Sequence, residues 1–183
     1  MKYLIVGGAG FIGSHVTRSL LADPQTKDVR VYDNLSSGKT EFLSRCIADS
    51  RVKFIQAEVS DLDQLTRQAD GVDAVFHFAS NPDIARAVRE PTIDFYEGTL
   101  LTQNVAEAAR LAGVRRVLYA SGSGVYGEMG RQWYSEEPLN GRPVSTYGAS
   151  KLAGEAIFSA YAAMFGLRAY AFRFANVVGP DRK

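Results

Sequence analysis

Tyr147 and Lys151 stand four residues apart in the run Tyr147-Gly148-Ala149-Ser150-Lys151, so on a helix they share one face. A free phenol titrates near ~10 and is a poor base at neutral pH. A neighbouring ammonium, together with the positive nicotinamide of an oxidised cofactor, would favour the phenolate and draw that value down, which makes the pair a candidate for taking a proton from a substrate hydroxyl. The same spacing also describes a solvated helix face, so the surrounding elements must decide its meaning. A second group of residues lies at the start of the chain, where Gly7-Gly8-Ala9-Gly10-Phe11-Ile12-Gly13 has the spacing G-x-x-G-x-x-G. Glycines there permit a tight turn and close approach of a pyrophosphate, and a helix opening at that point offers its N–H groups to phosphate. Asp33 lies twenty positions beyond Gly13, where a carboxylate accepts hydrogen bonds from an adenosine ribose and repels a 2′-phosphate. With no adjacent arginine, this favours NAD over NADP.

The elements that would position these residues follow from the apolar pattern. Short apolar runs at Lys2–Val6, Val29–Tyr32, Val52–Ala57, Ala74–Ala79, Arg116–Ala120 and Arg168–Phe174 alternate with longer helical stretches. They lack clean polar alternation, as strands covered on both faces do. The pattern predicts an α/β fold, a doubly wound parallel sheet of about six strands with helices on both faces, the Rossmann arrangement. Ile12, Val16 and Leu20 give the first helix an apolar face, and Asp23-Pro24 ends it. Asp61 is placed to cap a helix running to about Gly71. A long helix is expected from about Thr92 to Ala112, through Leu101, Val105, Ala108 and Leu111, and another from about Ser145 to Phe165, stopping at Gly166. Ligands of such a sheet bind beyond the carboxyl ends of the strands.

Composition narrows the classes further. A chain of 183 residues, 46% hydrophobic and 22% charged, is one domain able to bury a sizeable core. Lys and Arg number 21 against 20 Asp and Glu, so no basic excess points to nucleic acid or to an anionic membrane surface. The lone Cys46 rules out an internal disulfide framework and fits a reducing compartment. No apolar stretch approaches the ~18 residues of a membrane span, and the short Met1–Val6 start runs straight into the glycine turn. The expected location is cytoplasmic. Two histidines and one cysteine without ligand spacing predict no metal site.

Taken together, Gly7–Gly13 with Ser14-His15, Asp33 to Gly38, His77-Phe78-Ala79, Val125-Tyr126-Gly127, Tyr147–Lys151 and Arg173 to Pro180 resemble the extended short-chain dehydrogenase/reductase family. Within it the resemblance is to NAD-dependent nucleotide-sugar epimerases and dehydratases of the UDP-glucose 4-epimerase kind. It implies bound NAD, a nucleoside-diphosphate sugar substrate, a transient keto-sugar and, as an open point, a homodimer. It also implies that Tyr147 takes the hydroxyl proton while Lys151 lowers the tyrosine pKa and holds the nicotinamide ribose. By position, Gly7, Gly10, Gly13, Phe11 and Ile12 would meet the pyrophosphate. Asp33, Asn34, Ser37 and Gly38 would surround the adenosine, Glu58 and Val59 the adenine, and Phe78, Ala79 and Ser80 would line the cofactor. Asn176 would meet the nucleotide-sugar. His77 is expected to pack at a strand end, and Trp133 and Tyr134 either face the sugar or cap the core.

The chain departs from the family pattern in several places. Glu58 is longer than the usual aspartate. Phe95 stands three residues before Gly98-Thr99, where the family has Asn. The catalytic Ser or Thr expected three residues before Val125 is Gly122, flanked by Ser121 and Ser123. Neighbours in an extended chain point to the opposite face, so a surrogate hydroxyl requires a bend, which Gly122 and Gly124 would permit. Ser123 is the expected surrogate and water the next candidate, with Ser121 and Ser123 also expected near the sugar. Family members continue into a C-terminal substrate lobe. Residues 1–183 are therefore expected to be the cofactor domain, with the start of that lobe at about 175–183 and the remainder absent. The alternatives to an epimerase are a nucleotide-sugar dehydratase or decarboxylase and a non-catalytic NAD-binding module.

Overall fold

The structure, a computed structural model, describes residues 1–128, 130, 135–136 and 142–180; Trp133 and Tyr134 lie outside them. Six strands form one parallel sheet: β1 (Lys2–Val6), β2 (Asp28–Asp33), β3 (Val52–Gln56), β4 (Ala74–His77), β5 (Arg116–Gly122) and β6 (Arg168–Phe174). Their order is β3-β2-β1-β4-β5-β6, so the chain winds one way from β1 to β3 and the other way from β4 to β6. The helices are α1 (Phe11–Leu21), α2 (Leu62–Ala69), α3 (Leu101–Leu111) and α4 (Thr146–Phe165).

Alternate strand residues feed two cores. Leu4, Val6, Tyr32, Val75, Val117 and Tyr119 pack with α2, α3 and α4. Tyr3, Ile5, Val29, Val31 and Ala74 face the other way, against Val16, Leu20 and Leu21 of α1. This is the period of two that a pleated strand imposes when both faces are covered. The expectation fails at the β6 edge, where Tyr170 is 52% and Phe172 45% exposed. No described helix covers that end of the α1 side.

Helix ends follow local chemistry. Asp61 caps α2 by accepting from the Gln64 N–H at 2.9 Å. Ser145 caps α4 through the Gly148 N–H at 3.0 Å, and Gly166 ends α4 in the left-handed region at φ +71°. The deepest residues of α1 are the small Gly13, Ser14 and Thr17 rather than Ile12, Val16 and Leu20, because close seating on the sheet needs small side chains there.

The long helix is corrected in two respects. Phe95–Leu100 form a π-helical turn ahead of α3, and its added backbone shifts the helical phase. The turn lies close to α4: a Cβ on Gly98 would stand 2.8 Å from Ser150 Oγ. Leu111, expected on the apolar face, is 52% exposed. Strand ends also move: β2 gains Asp28 and Asp33, and β3 stops at Gln56. β4 stops at His77, and β5 continues through Ser121 and Gly122, which pair with Arg173 and Phe174 of β6.

The passage from β1 into α1 depends on Gly7, which has φ +78°, and a Cβ there would meet the Ala79 nitrogen at 2.5 Å. Gly113 shares the left-handed backbone, with φ +68°, but has nothing within 4 Å. Gly113→Ala is expected to cost ~1 kcal/mol from backbone strain alone. Gly7→Ala should cost a further ~1–3 kcal/mol from the clash. Urea denaturation of the two variants checks the difference.

Candidate active site

A single cleft of about 1050 Å³ runs along the carboxyl ends of the strands. It is walled by the turn after β1 (Gly7, Gly10, Phe11, Ile12, Gly13), the segment after β2 (Asp33, Asn34, Ser37, Gly38) and Glu58-Val59 after β3. Phe78, Ala79 and Ser80 after β4, Ser121 and Ser123 around the end of β5, Tyr147 and Lys151 on α4, and Asn176 after β6 complete it. The residues singled out for chemistry and for cofactor contact therefore meet around one space. Sequence reasoning missed Lys39, Phe42 and Tyr96, which also line it. They belong to no spaced motif, and the return of the chain alone brings them there.

At one end the glycine turn is fastened by Asp33. Its Oδ2 accepts from the Ala9 N–H at 2.9 Å and its Oδ1 from the Leu35 N–H at 2.8 Å. Gly38 lies so near that a Cβ would stand 2.8 Å from Asp33 Oδ1. A carboxylate has about four lone-pair sites, so two backbone bonds leave acceptor capacity toward the cleft. α1 begins at Gly10 with no side-chain cap, which leaves its first N–H groups available to an anion. Asn34 Nδ2 donates to Glu58 Oε2 at 2.9 Å, joining the two residues expected around the adenosine.

At the other end Lys151 is 3% exposed. Its Nζ donates to the Ala120 carbonyl at 2.9 Å and lies 5.3 Å from the ring centres of both Tyr119 and Tyr147. Burial pushes its pKa down to about 8, with the Asp94 charge acting in the opposite sense. In the protein by itself the Tyr147 pKa lies above its ordinary value. Burial raises it, a hydrogen bond from Ser80 pulls it down, and Asp94 adds to the rise. Desolvation of the phenolate outweighs what its neighbours supply. His77 is fully buried, stacks on Tyr119 and hydrogen-bonds Thr102 at 3.0 Å. Burial, with the Lys151 charge assisting, pushes its pKa down to about 3, so it packs as a neutral ring.

The flank of Gly122 separates three residues. Ser121 donates to Glu155 Oε1 at 2.6 Å, on the side where Arg173 holds Glu155 at 2.8 Å. Gly122 itself is extended, at φ −159° and ψ 164°, so the bend expected there falls one residue later. Ser123 opens a 3₁₀ turn, Ser123–Tyr126, and is exposed at the cleft. A Cβ on Gly122 would stand 4.0 Å from Tyr147 Cε1 and 3.8 Å from the Phe174 carbonyl oxygen. The position three residues before Val125 thus points at Tyr147 with room to spare. Phe95, at the family's Asn position, is 55% exposed, while its neighbour Asp94 is buried.

Among the described residues no group of three or more His, Cys, Asp or Glu could hold a metal ion, and no helix is long and apolar enough to cross a membrane.

A doubly wound sheet carrying a glycine turn, an acidic β2 end and a Tyr–Lys pair in one cleft defines a dinucleotide-dependent short-chain dehydrogenase-like domain. The model of the NAD dependent epimerase/dehydratase family matches residues 3–183, and the chain belongs to that family. It is 38% identical to a UDP-glucose 4-epimerase of Mycolicibacterium smegmatis over 98% of its own length and 57% of the relative's. A Thermus thermophilus UDP-glucose 4-epimerase solved in complex with NAD is 35% identical, with a TM-score of 0.89 over 100% of this chain and 58% of that one. A dTDP-glucose 4,6-dehydratase from Streptomyces venezuelae, solved with NAD, is 34% identical with a TM-score of 0.93, over 98% of this chain and 57% of that one. The chain spans about half the length of the relatives it matches.

Gly122→Ser is expected to keep the unfolding free energy within ~0.5 kcal/mol of the native protein or raise it, because its backbone is one any residue adopts and the space is open. Urea denaturation reads this directly; a loss above ~1 kcal/mol would show that the site has no room for the side chain.

Proposed function

We propose that the chain is the cofactor domain of an NAD-dependent nucleotide-sugar epimerase acting on a UDP-hexose. The observation that carries this reading is the single cleft with a phosphate-binding turn and a ribose-binding carboxylate at one end and the Tyr147–Lys151 pair at the other. The residues fit the dinucleotide: Gly7 and Gly13 are places where a Cβ would strike backbone at 2.5 Å, and Asp33 retains acceptor capacity. The turn from Gly7 to Gly13 would hold the pyrophosphate, Asp33, Asn34, Ser37 and Gly38 the adenosine ribose, and Glu58 and Val59 the adenine. Phe78, Ala79 and Ser80 would line the nicotinamide side. Bound there, NAD supplies reversible hydride transfer to and from the sugar carbon.

The chain's own groups manage the proton. Tyr147 accepts it from the sugar hydroxyl and returns it after the keto-sugar has turned. Lys151 holds the nicotinamide ribose and supplies positive charge beside the phenol, which favours the ionised form. Ser123 is the candidate hydroxyl for the reacting oxygen, and Ser121 and Asn176 stand toward the sugar. An epimerase is favoured over a dehydratase because Ser123-Gly124 occupies the place before Val125-Tyr126-Gly127 where a dehydratase would need an acid pair. The buried, free Cys46 accords with a reducing, cytoplasmic setting.

NAD is expected to bind at least ~10-fold more tightly than NADP, a difference of ~1.4 kcal/mol, since Asp33 sits where a 2′-phosphate would lie. Calorimetric titration of the chain with both cofactors checks it, and NADP preference would overturn the cofactor reading.

Tyr147→Phe in a protein that also carries the substrate lobe is expected to lower turnover ~10²–10⁴-fold with NAD affinity unchanged. Lys151→Met should weaken both. Retention of most activity in Tyr147→Phe would remove Tyr147 as the proton acceptor.

A further inference from the structure

Among the described residues Leu35 is the one non-glycine residue with a left-handed backbone, at φ +62°. For a residue with a Cβ that conformation costs free energy, and it persists only where the surroundings over-determine it. Leu35 stands two residues beyond Asp33, in the segment after β2 that walls the adenosine end of the cleft.

Three contacts hold it there. Its side chain packs against the α1-side core. The Asn34 side chain spans it, accepting from the Ser36 N–H at 3.0 Å and donating to Glu58 at 2.9 Å. Its own N–H donates to Asp33 Oδ1 at 2.8 Å.

The effect of the turn is concentrated at Asp33. The second carboxylate oxygen, Oδ2, accepts from the Ala9 N–H at 2.9 Å, and the Ala9 carbonyl accepts from the Lys39 N–H at 2.9 Å. The left-handed residue sends the chain back so that Gly38 closes on the carboxylate, where a Cβ would stand 2.8 Å from Oδ1 and 3.0 Å from Oδ2. With one backbone donor on each oxygen, the carboxylate cannot rotate without breaking a bond. Acceptor capacity remains on both oxygens. A group already fixed loses little freedom when a ligand binds, whereas one released from Leu35 can turn away from a phosphate.

We propose that Leu35 is a positioning residue for the choice of cofactor: its strained backbone aims the Leu35 N–H at Asp33 Oδ1 and so locks the carboxylate in the orientation that accepts from a ribose and opposes a 2′-phosphate. The assignment rests on the reading of Asp33 as the ribose ligand.

Calorimetric titration of this chain with NAD and with NADP tests it, read as the ratio of the two affinities. Leu35→Pro removes the N–H and fixes φ near about −65°, so the bond to Asp33 is lost. The NAD-to-NADP ratio is expected to fall about 10-fold, the size of one hydrogen bond to a charged group. Leu35→Asn gives up the core packing but keeps the N–H and takes the left-handed backbone readily. It is expected to melt at a lower temperature and to retain the native ratio.

An unchanged ratio in Leu35→Pro overturns the proposal whatever happens to the melting temperature, because loosening alone weakens both cofactors together. A ratio in Leu35→Asn as low as in Leu35→Pro overturns it too, since packing would then be the determinant. In an Asp33→Ala background, Leu35→Pro is expected to leave the ratio where Asp33→Ala alone puts it. A further fall there would show that Leu35 acts on the 2′-phosphate by another route, against the proposal. Should Leu35→Pro not fold, Leu35→Ile replaces it: the apolar volume is kept, but the branched side chain opposes the left-handed backbone. NADP preference in the native chain removes the Asp33 reading. Native NAD preference that Leu35→Pro does not move removes the positioning role alone, so the two fail separately.

Discussion

The contact on which the molecule turns is between backbones. Gly7 rests against Ala79 so closely that a single added carbon would stand 2.5 Å from the Ala79 nitrogen. Both Phe78 and Ala79 donate their N–H groups to the Val6 carbonyl, at 2.8 and 3.1 Å. β1 and β4 are the neighbours between which the winding direction reverses, and a crevice opens there at the strand ends. With the two chain segments pressed together, α1 starts directly over the crevice, and Asp33 fastens the turn from below. The remaining walls stand in relation to that seam.

At the opposite end the controlling factor is the scarcity of water. Lys151, Tyr147 and His77 are each driven toward their neutral forms by burial. Such a place makes small changes in charge effective, because a neighbouring charge is poorly screened there. Lys151 answers its desolvation with a carbonyl bond and two aromatic faces. Tyr147 has the Ser80 hydroxyl. Lys151 is therefore drawn down to about 8 and Tyr147 raised above its ordinary range. In the proposed mechanism a cation entering the cleft shifts the second of these downward.

The outer edge of the sheet is braced separately. Glu155 on α4 takes hydrogen bonds from Ser121 on β5 and Arg173 on β6, at distances from 2.6 to 2.9 Å, and Arg173 reaches on to the Glu136 carbonyl at 3.1 Å. This partly buried ion pair engages the Ser121 hydroxyl, and the extended Gly122 is the residue whose Cβ position lies beside Tyr147. Tyr147, Lys151 and Glu155, each four residues from the last, lie along one stripe of α4.

The local features were legible in the residues themselves. Strand runs, the Asp61 cap, the helix start near Ser145, the Gly166 stop and the glycine turn each follow from neighbours within a few positions, where steric and capping preferences act. The assembly of Gly7, Asp33, Glu58, Phe78, Tyr147 and Asn176 around one cleft was legible because parallel winding returns every strand end to the same edge. What escaped depends on contacts between distant segments. The π turn at Phe95–Leu100 answers to packing against α4, and no local periodicity announces it. Asp94 and Asn81 are ordinary polar residues until burial joins them to each other and to Thr146 and Asp83. How far burial raises the Tyr147 pKa was likewise hidden, since spacing reports which charges are near and says nothing of how much water has been removed. Sequence determined the elements and the edge where they meet. Only the tertiary structure, by excluding solvent, decided the electrostatics there.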